Sequence, residues 1–292
     1  MSTMTIGSLA RLLEDRGLLA SARIDGADGI DVCGVDSDSR VVRPHDLFVC
    51  KGVAFRPTYL LSALDQGAVA YLCAENRAAE LAAIAPTTPA LVATDEGFRQ
   101  AMGLVSAEAW DHPDRDLPVL GITGTKGKST CAYMVRAIVD AAYGVGRCGV
   151  MGSIDMYDGI ENTESVNTTP EAPDLWRHVA NARDSHLAAV AMEVSSHGLK
   201  YNRVDGLQIA AGAFLNLGRD HISAAEHPDF EDYFASKLRI FQHTPVGIVN
   251  LDTDRAQEVL AAAHATCDRV VTFSAAGHDR PTGTADLWAS DV

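Results

Sequence analysis

L-P-V-L-G-I-T-G-T-K-G-K-S-T, Leu117–Thr130, runs an apolar strand into a glycine-punctuated turn and then into a helix. Val119, Leu120 and Ile122 suit a buried parallel strand, and Gly121, Gly124 and Gly127 permit tight backbone curvature. A helix is expected over Thr130–Ala142, with an apolar stripe at Cys131, Met134, Val135, Ile138 and Val139. Strand, turn, Lys-Ser pair and helix together read as a nucleotide phosphate loop formed by Gly124, Thr125, Lys126, Gly127, Lys128, Ser129 and Thr130. Backbone amides and the positive helix end would hold phosphate oxygens. The Lys128 ammonium would meet the outer phosphates, and the Ser129 hydroxyl would ligate Mg²⁺. The strict Walker spacing would put a glycine where Ile122 stands, so the glycines fall on either side.

Working outward, the chain shows no internal repeat, but apolar strands recur along it. Apolar strands are expected at Val119–Ile122, Leu187–Met192, Ala211–Asn216, Gly247–Asn250 and Val270–Phe273, separated by helical stretches. That alternation implies an α/β fold with a mostly parallel sheet. The polar, proline-bearing run D-H-P-D-R-D-L, Asp111–Leu117, suggests a boundary between domains 1–112 and 113–292. The first region reads as a small α/β domain. It has an amphipathic opening helix (Ile6, Leu9, Leu12, Leu13), strands near Asp31–Val35, Leu47–Cys50 and Leu91–Ala93, a helix-strand pair over Tyr59–Leu72, and a helix over Gly97–Trp110.

Composition narrows the partners. With 292 residues, 47% apolar and 22% charged, the chain can bury a core in about two domains. No segment nears the ~18 uninterrupted apolar residues of a membrane helix, and the start lacks a secretory pattern, so a cytoplasmic location is expected. The formal charge of −15 and the lack of a Lys/Arg cluster disfavour nucleic acid. Six scattered cysteines without a C-x-x-C pair suggest buried thiols.

In parallel sheets, ligands gather at the carboxyl ends of strands. Three such ends carry polar clusters: the phosphate loop, Glu193 through His197, and Asn216 through His221. A carboxylate at Glu193, beside a phosphate loop, suits Mg²⁺; a solvated strand end is the plainer reading. His221 admits a metal or phosphate role and a capping role alike. Asn167-Thr168-Thr169-Pro170-Glu171 reads as a helix cap able to double as a ligand contact. Lys237, inside an expected helix Phe230–Phe241 with Phe230, Phe234, Leu238 and Phe241 in one stripe, reads by default as a solvated lysine.

Taken in order, T-G-T-K-G-K-S-T, N-T-T-P-E, M-E-V-S-S-H-G-L-K-Y-N-R-V, F-L-N-L-G-R-D-H-I-S and H-P-D-F-E-D-Y-F-A-S-K-L-R-I-F resemble the Mur ligases. The likeness is greatest to the branch that adds the third peptide residue to UDP-N-acetylmuramoyl-L-alanyl-D-glutamate, and D-S-D-S-R-V-V-R-P-H-D-L-F-V-C-K-G agrees with it. The resemblance implies an N-terminal UDP-binding domain and a central ATP-binding domain. It also implies ATP and Mg²⁺ as cofactors, a diamino acid as co-substrate, and a monomer. Residue by residue, it implies Lys128 and Ser129 on ATP phosphates and Mg²⁺, and Glu193 and His221 on the metal–phosphate cluster. Lys237 would be a carbamate helping to hold a second Mg²⁺. Asn167, Thr168, Thr169, Ser195 and Arg203 would contact the muramoyl-dipeptide, and Ser39 and Arg40 the uridine diphosphate. Tyr201 stands where relatives often have Gln. The implied chemistry is amide formation through an acyl phosphate. Because family members continue past the equivalent of Val292, the resemblance also implies a chain ending inside its central domain. H-P-D-F-E-D-Y-F and F-V-C-K-G-V-A-F lean toward the lysine-adding branch over the diaminopimelate one. Two other expectations stay open: a non-catalytic nucleotide or UDP-sugar binding fragment, and a related ligase such as a folylpolyglutamate synthetase.

Overall fold

A computed structural model describes residues 4–220, 222–223, 226–275 and 285–289. The chain divides into two compact units: Met1–His112 with Ala172–Arg177, and Pro113–Glu171 with His178–Val292.

The first unit opens with α1 (Ile6–Asp15), started by a reciprocal cap in which the Thr5 hydroxyl accepts from the Ser8 amide and Ser8 Oγ accepts from the Thr5 amide. There follow β1 (Leu19–Arg23), β2 (Gly34–Asp36), β3 (Asp46–Cys50), α2 (Pro57–Asp65), β4 (Ala70–Ala74), α3 (Glu75–Ile84), β5 (Ala90–Ala93) and α4 (Phe98–Ala109). The sheet order is β1-β5-β4-β3-β2, parallel except for β1. β3 is buried along its whole length, as a strand covered on both faces must be. β1 has exposed residues at its centre and no alternation to mark it, which explains why the sequence pattern does not reveal it.

The second unit contains β6 (Val119–Thr123), α5 (Lys128–Tyr143), β7 (Cys148–Met151), β8 (Asp155–Tyr157), β9 (Asn162–Glu164) and α6 (Ala172–Asp184), whose first residues cluster with the first unit. It continues through β10 (Ala189–Glu193), α7 (Ser196–Lys200), β11 (Ile209–Phe214), α8 (Phe230–Leu238), β12 (Val246–Asn250), α9 (Ala256–Thr266), β13 (Arg269–Ser274) and β14 (Leu287–Trp288). The sheet order is β14-β13-β12-β11-β6-β10-β7-β8-β9, parallel from β14 to β7 and closed by an antiparallel β8–β9 edge. β6 sits between strands that come later in the chain, so connections depart to both sides of it, the arrangement that opens a crevice at the carboxyl edge. Register places Glu193 beside Ile122 and Phe214 beside Thr123, which brings the tips of β10 and β11 level with the phosphate loop.

Several sequence expectations are corrected. α5 begins at Lys128 rather than Thr130, because Gly127 at φ 83° supplies the left-handed turn from which the helix starts. Its apolar stripe splits: Cys131, Val135 and Val139 pack against Ile122, Ala132, Cys148 and Ala191, while Met134 and Ile138 face outward at 60% and 68% exposure. The expected helix over Phe230–Phe241 tightens into a 3₁₀ segment at Arg239–His243, which still buries Phe241. Cys33 is exposed, contrary to a uniform set of buried thiols. The β8–β9 hairpin is short and polar and carries no alternation to reveal it. No described helix is long and apolar enough to cross a membrane.

The split of the α5 stripe is checked by urea unfolding: Met134→Ala should change stability by no more than about 0.5 kcal/mol. Phe214→Ala, at a fully buried site, should cost about 3–5 kcal/mol.

Candidate active site

The phosphate loop is held from the β11 side by one amide side chain. Asn216 Oδ1 accepts from the Thr125 and Lys126 amides at 3.0 and 2.9 Å, and its Nδ2 donates to the Lys126 carbonyl at 3.0 Å. The Thr125 hydroxyl accepts from the Gly218 amide at 2.9 Å and from Tyr233 Oη at 3.0 Å. A Cβ at Gly124 would lie 3.0 Å from Leu215 Cβ and 3.3 Å from the Asn216 nitrogen, so only glycine lets the loop approach β11 this closely. Lys126 points outward and pairs with Asp220 at 2.7 Å.

Two ammonium groups converge on one carbonyl. Lys128 Nζ donates to Gly124 O at 3.0 Å, and Lys237 Nζ, from α8, donates to the same oxygen at 2.8 Å. Lys237 is 2% exposed. Burial, aided by the Lys128 charge, pushes its pKa down to about 7. Burial lowers Lys128 as well, partly offset by Glu193. Lys128 at the start of α5 gives this corner a positive charge that invites an anion, and Lys237, buried with its pKa brought down to about 7, is not the solvated lysine of the default sequence reading.

Glu193, 2% exposed, ends β10. Its Oε1 accepts from the Ser153 amide at 2.8 Å, and Oε2 accepts from Ser153 Oγ at 3.2 Å. A Cβ at Gly152 would sit 2.4 Å from Oε1, so Gly152 makes room for the carboxylate. With its one proton given to Glu193, Ser153 Oγ accepts from Thr168 Oγ1 at 3.0 Å, tying the N-T-T-P-E segment to this corner. Thr169 is fully buried behind that corner, where its hydroxyl bonds the Glu193 carbonyl and accepts from the Ser195 amide. Ser195 caps α7 by accepting from the Gly198 amide at 3.0 Å. Arg203 donates to Thr169 O at 2.9 Å and pairs with Glu171 at 2.6 Å.

A cavity of about 260 Å³ is lined by Lys128, Asn167, Thr168, Ser195, Ser196, His197, Tyr201, Arg203, Tyr233 and Lys237. Thus Lys128, Lys237, Asn167, Thr168, Ser195 and Arg203 share one chamber, whereas Thr169 stands behind its wall. Ser129 and Thr130 begin α5, and His221 lies outside the described residues. Ser39 and Arg40 belong to a cavity of about 500 Å³ in the first unit, with Ser37, Asp38, Lys51 and Tyr59. There Arg40 is engaged by Asp38 through both carboxylate oxygens.

Sequence reasoning did not single out Ser153, Gly152 or Tyr233. Ser153 and Gly152 follow β7, a strand absent from the sequence reading, and Tyr233 was masked by a phenylalanine pattern. Among described residues, the carboxylate–histidine group close enough to share an ion is Asp158, Glu161 and His178, outside the chamber. Backbone amides of Ile160 and Glu161 and the side chains of His178 and Asn181 already satisfy Asp158, so that group reads as a structural knot. Outside the lining of the chamber, Ser129 at the start of α5 and Glu193 at the tip of β10 carry the hard oxygen donors that Mg²⁺ takes, and Lys237, which does line it, would add another only after conversion to an anion.

The chain is 38% identical over 283 residues to the UDP-N-acetylmuramyl-tripeptide synthetase of Lactobacillus delbrueckii subsp. bulgaricus, covering 95% of this chain and 53% of that protein. It is 39% identical over 266 residues to the UDP-N-acetylmuramoyl-L-alanyl-D-glutamate–2,6-diaminopimelate ligase of Streptomyces avermitilis, covering 90% and 49%. The chain therefore spans about half the length of these curated relatives. A solved UDP-N-acetylmuramoyl-L-alanyl-D-glutamate–2,6-diaminopimelate ligase shares the fold with a TM-score of 0.72 at 24% identity, over 98% of this chain and 54% of that one. The Mur ligase middle domain matches residues 122–292, which include the phosphate loop, Glu193 and Lys237, and by that match over more than half its length the chain belongs to the Mur ligase family.

Proposed function

We propose that this chain provides the UDP-substrate and ATP sites of a ligase that adds a diamino acid, L-lysine rather than diaminopimelate, to UDP-N-acetylmuramoyl-L-alanyl-D-glutamate. The observation that carries this reading is the single chamber in which the phosphate-loop lysine and Lys237 face Thr168, Ser195 and Arg203. The names of the curated relatives support addition of the third residue.

In this reading the loop amides and the α5 start take the ATP phosphates, and Lys128 covers the outer ones. Arg203, fixed by Glu171 and the Thr169 carbonyl, and Thr168, fixed through Ser153, orient the D-glutamate carboxylate toward the γ-phosphorus. Carboxylate and triphosphate repel each other. Lys128 offsets that repulsion as the carboxylate attacks to give an acyl phosphate, which the incoming amine then displaces. Mg²⁺, held by Ser129, Glu193, His221 and the Lys237 carbamate, would supply further charge neutralisation. The cavity around Ser39 and Arg40 would take the uridine diphosphate.

The test is phosphate release by the protein expressed from its own gene. Release should require ATP, Mg²⁺, UDP-muramoyl-dipeptide and a diamino acid, with L-lysine outcompeting diaminopimelate. Nucleotide binding in calorimetry without any turnover would instead favour a binding module. Lys128→Ala should lower kcat by about 100-fold or more. Asn216→Ala removes the loop's staple and should weaken ATP-analogue binding about tenfold by calorimetry, consistent with two or three lost hydrogen bonds.

The neutral amine is the form that reacts with CO₂. Since the folded pKa of Lys237 is about 7, the ammonium prevails below that pH and the reactive fraction grows as pH rises through it. With ¹³C-bicarbonate, a carbamate resonance should appear above about pH 7 and be lost in Lys237→Met.

A further inference from the structure

The wall of the chamber carries a chain of three side chains that the proposed reaction has not used. Ser196 lines the cavity yet is only 4% exposed, and its Oγ lies 2.9 Å from His227 Nε2. His227 is fully buried, and its Nδ1 lies 2.5 Å from Asp232 Oδ2. An ionised carboxylate can only accept, so the bond to Asp232 places the imidazole proton on Nδ1 and leaves the Nε2 lone pair facing the Ser196 hydroxyl. Ser196 therefore gives its proton to His227 and presents oxygen lone pairs to the cavity.

Neighbouring side chains pack against the ring and hold its carboxylate partner. From α7, the His197 ring stacks on His227 at 4.7 Å, and Lys200 donates to the same Asp232 oxygen at 2.7 Å. From α8, the Tyr233 ring meets His227 edge-on at 5.2 Å. Lys200 also bonds the Glu226 carbonyl, next to His227 in the chain. Burial raises the Asp232 carboxyl, but the hydrogen bonds from Lys200 and His227 outweigh that and hold it below the usual carboxylate range, so it stays anionic at neutral pH.

We infer that Ser196, His227 and Asp232 form a proton relay that deprotonates the incoming amine. This rests on the ligase reading, because it needs an amine to enter the chamber and an acyl phosphate to be there. An amino acid arrives mainly as an ammonium ion, which has no lone pair to attack with. One ammonium proton passes to Ser196 Oγ while the Ser196 hydroxyl proton passes to His227 Nε2, and Asp232 balances the imidazolium. The freed nitrogen pair forms the C–N bond. The acyl C–O bond breaks with its electrons leaving on phosphate, which takes the second amine proton, and His227 later returns its proton to solvent. Ser196 is the catalytic residue of the three; His227 and Asp232 act through it and are positioning residues.

The test separates the two half-reactions in the protein expressed from its own gene. Acyl phosphate, trapped by borohydride reduction without any amine, should form at wild-type levels in Ser196→Ala and His227→Gln. Amide formation with the amino acid should fall about 100-fold or more near neutral pH, the scale of general-base catalysis, and the loss should shrink as pH rises. Hydroxylamine, largely unprotonated at neutral pH, should capture the acyl phosphate equally well in wild type and variants. Ser196→Thr, which keeps the hydroxyl, should retain most of the amide rate. Equal losses with hydroxylamine and the amino acid, loss of acyl phosphate in the variants alone, or an unchanged amide rate would each overturn the relay and leave the ligase reading standing. Failure of the wild-type protein to form any acyl phosphate would overturn the ligase reading itself.

Discussion

Everything at the site depends on how closely β6 can bring its end to the end of β11. The parallel pairing of Gly121 with Gly212 and of Thr123 with Phe214 delivers Gly124 against Leu215 and Asn216 at a separation that leaves no room for a side chain. From that approach follow the Asn216 clamp on the Thr125 and Lys126 amides and the Gly218 and Tyr233 bonds to Thr125. The direction of the Gly124 carbonyl follows too. A carbonyl turned inward at the start of a helix becomes the point where Lys128 and Lys237 meet.

That meeting explains why Lys237 is unusual. A helix-borne lysine with solvent around it would keep its charge. Here α8 lays it beneath the loop, beside a second ammonium and away from water, and the proton becomes easy to lose. The cost is offset in part by the hydrogen bond to Gly124. The tertiary arrangement thus lowers the pKa of an ordinary residue type, an effect that helix periodicity alone does not signal.

The opposite wall is built on a different principle. Ser153, Thr168, Thr169 and Ser195 form a continuous run of short polar side chains around the β10 tip, bonded to the Glu193 carboxylate and carbonyl, to one another and to the Ser195 and Gly198 amides. Such a lattice is stiff because breaking one member strands a buried partner. It fixes Glu193 without consuming all of its lone pairs and anchors the segment from which Arg203 reaches into the chamber.

The sequence by itself determined the α/β class and the phosphate loop's place at the end of an apolar strand. Strand periodicity, glycine spacing and the Lys128-Ser129 pair are local properties, and Ile122 in place of a glycine is accommodated because it packs into the core beneath α5. It also pointed to the tips of β10 and β11 as polar clusters. What only the tertiary structure decided is which members of those clusters face one cavity. Thr168 lines it and Thr169 does not, a difference of one residue set by which hydroxyl the Glu193 backbone captures. The division of the α5 stripe, the role of Ser153 on the unrecognised β7–β8 edge, and the alignment of Ser196, His227 and Asp232 were likewise invisible. The hydrogen-bond partners of Ser196 and Ser153 lie 31 and 40 residues away in the chain, and pairing over such distances is settled by sheet register and helix docking, which no short window of sequence encodes.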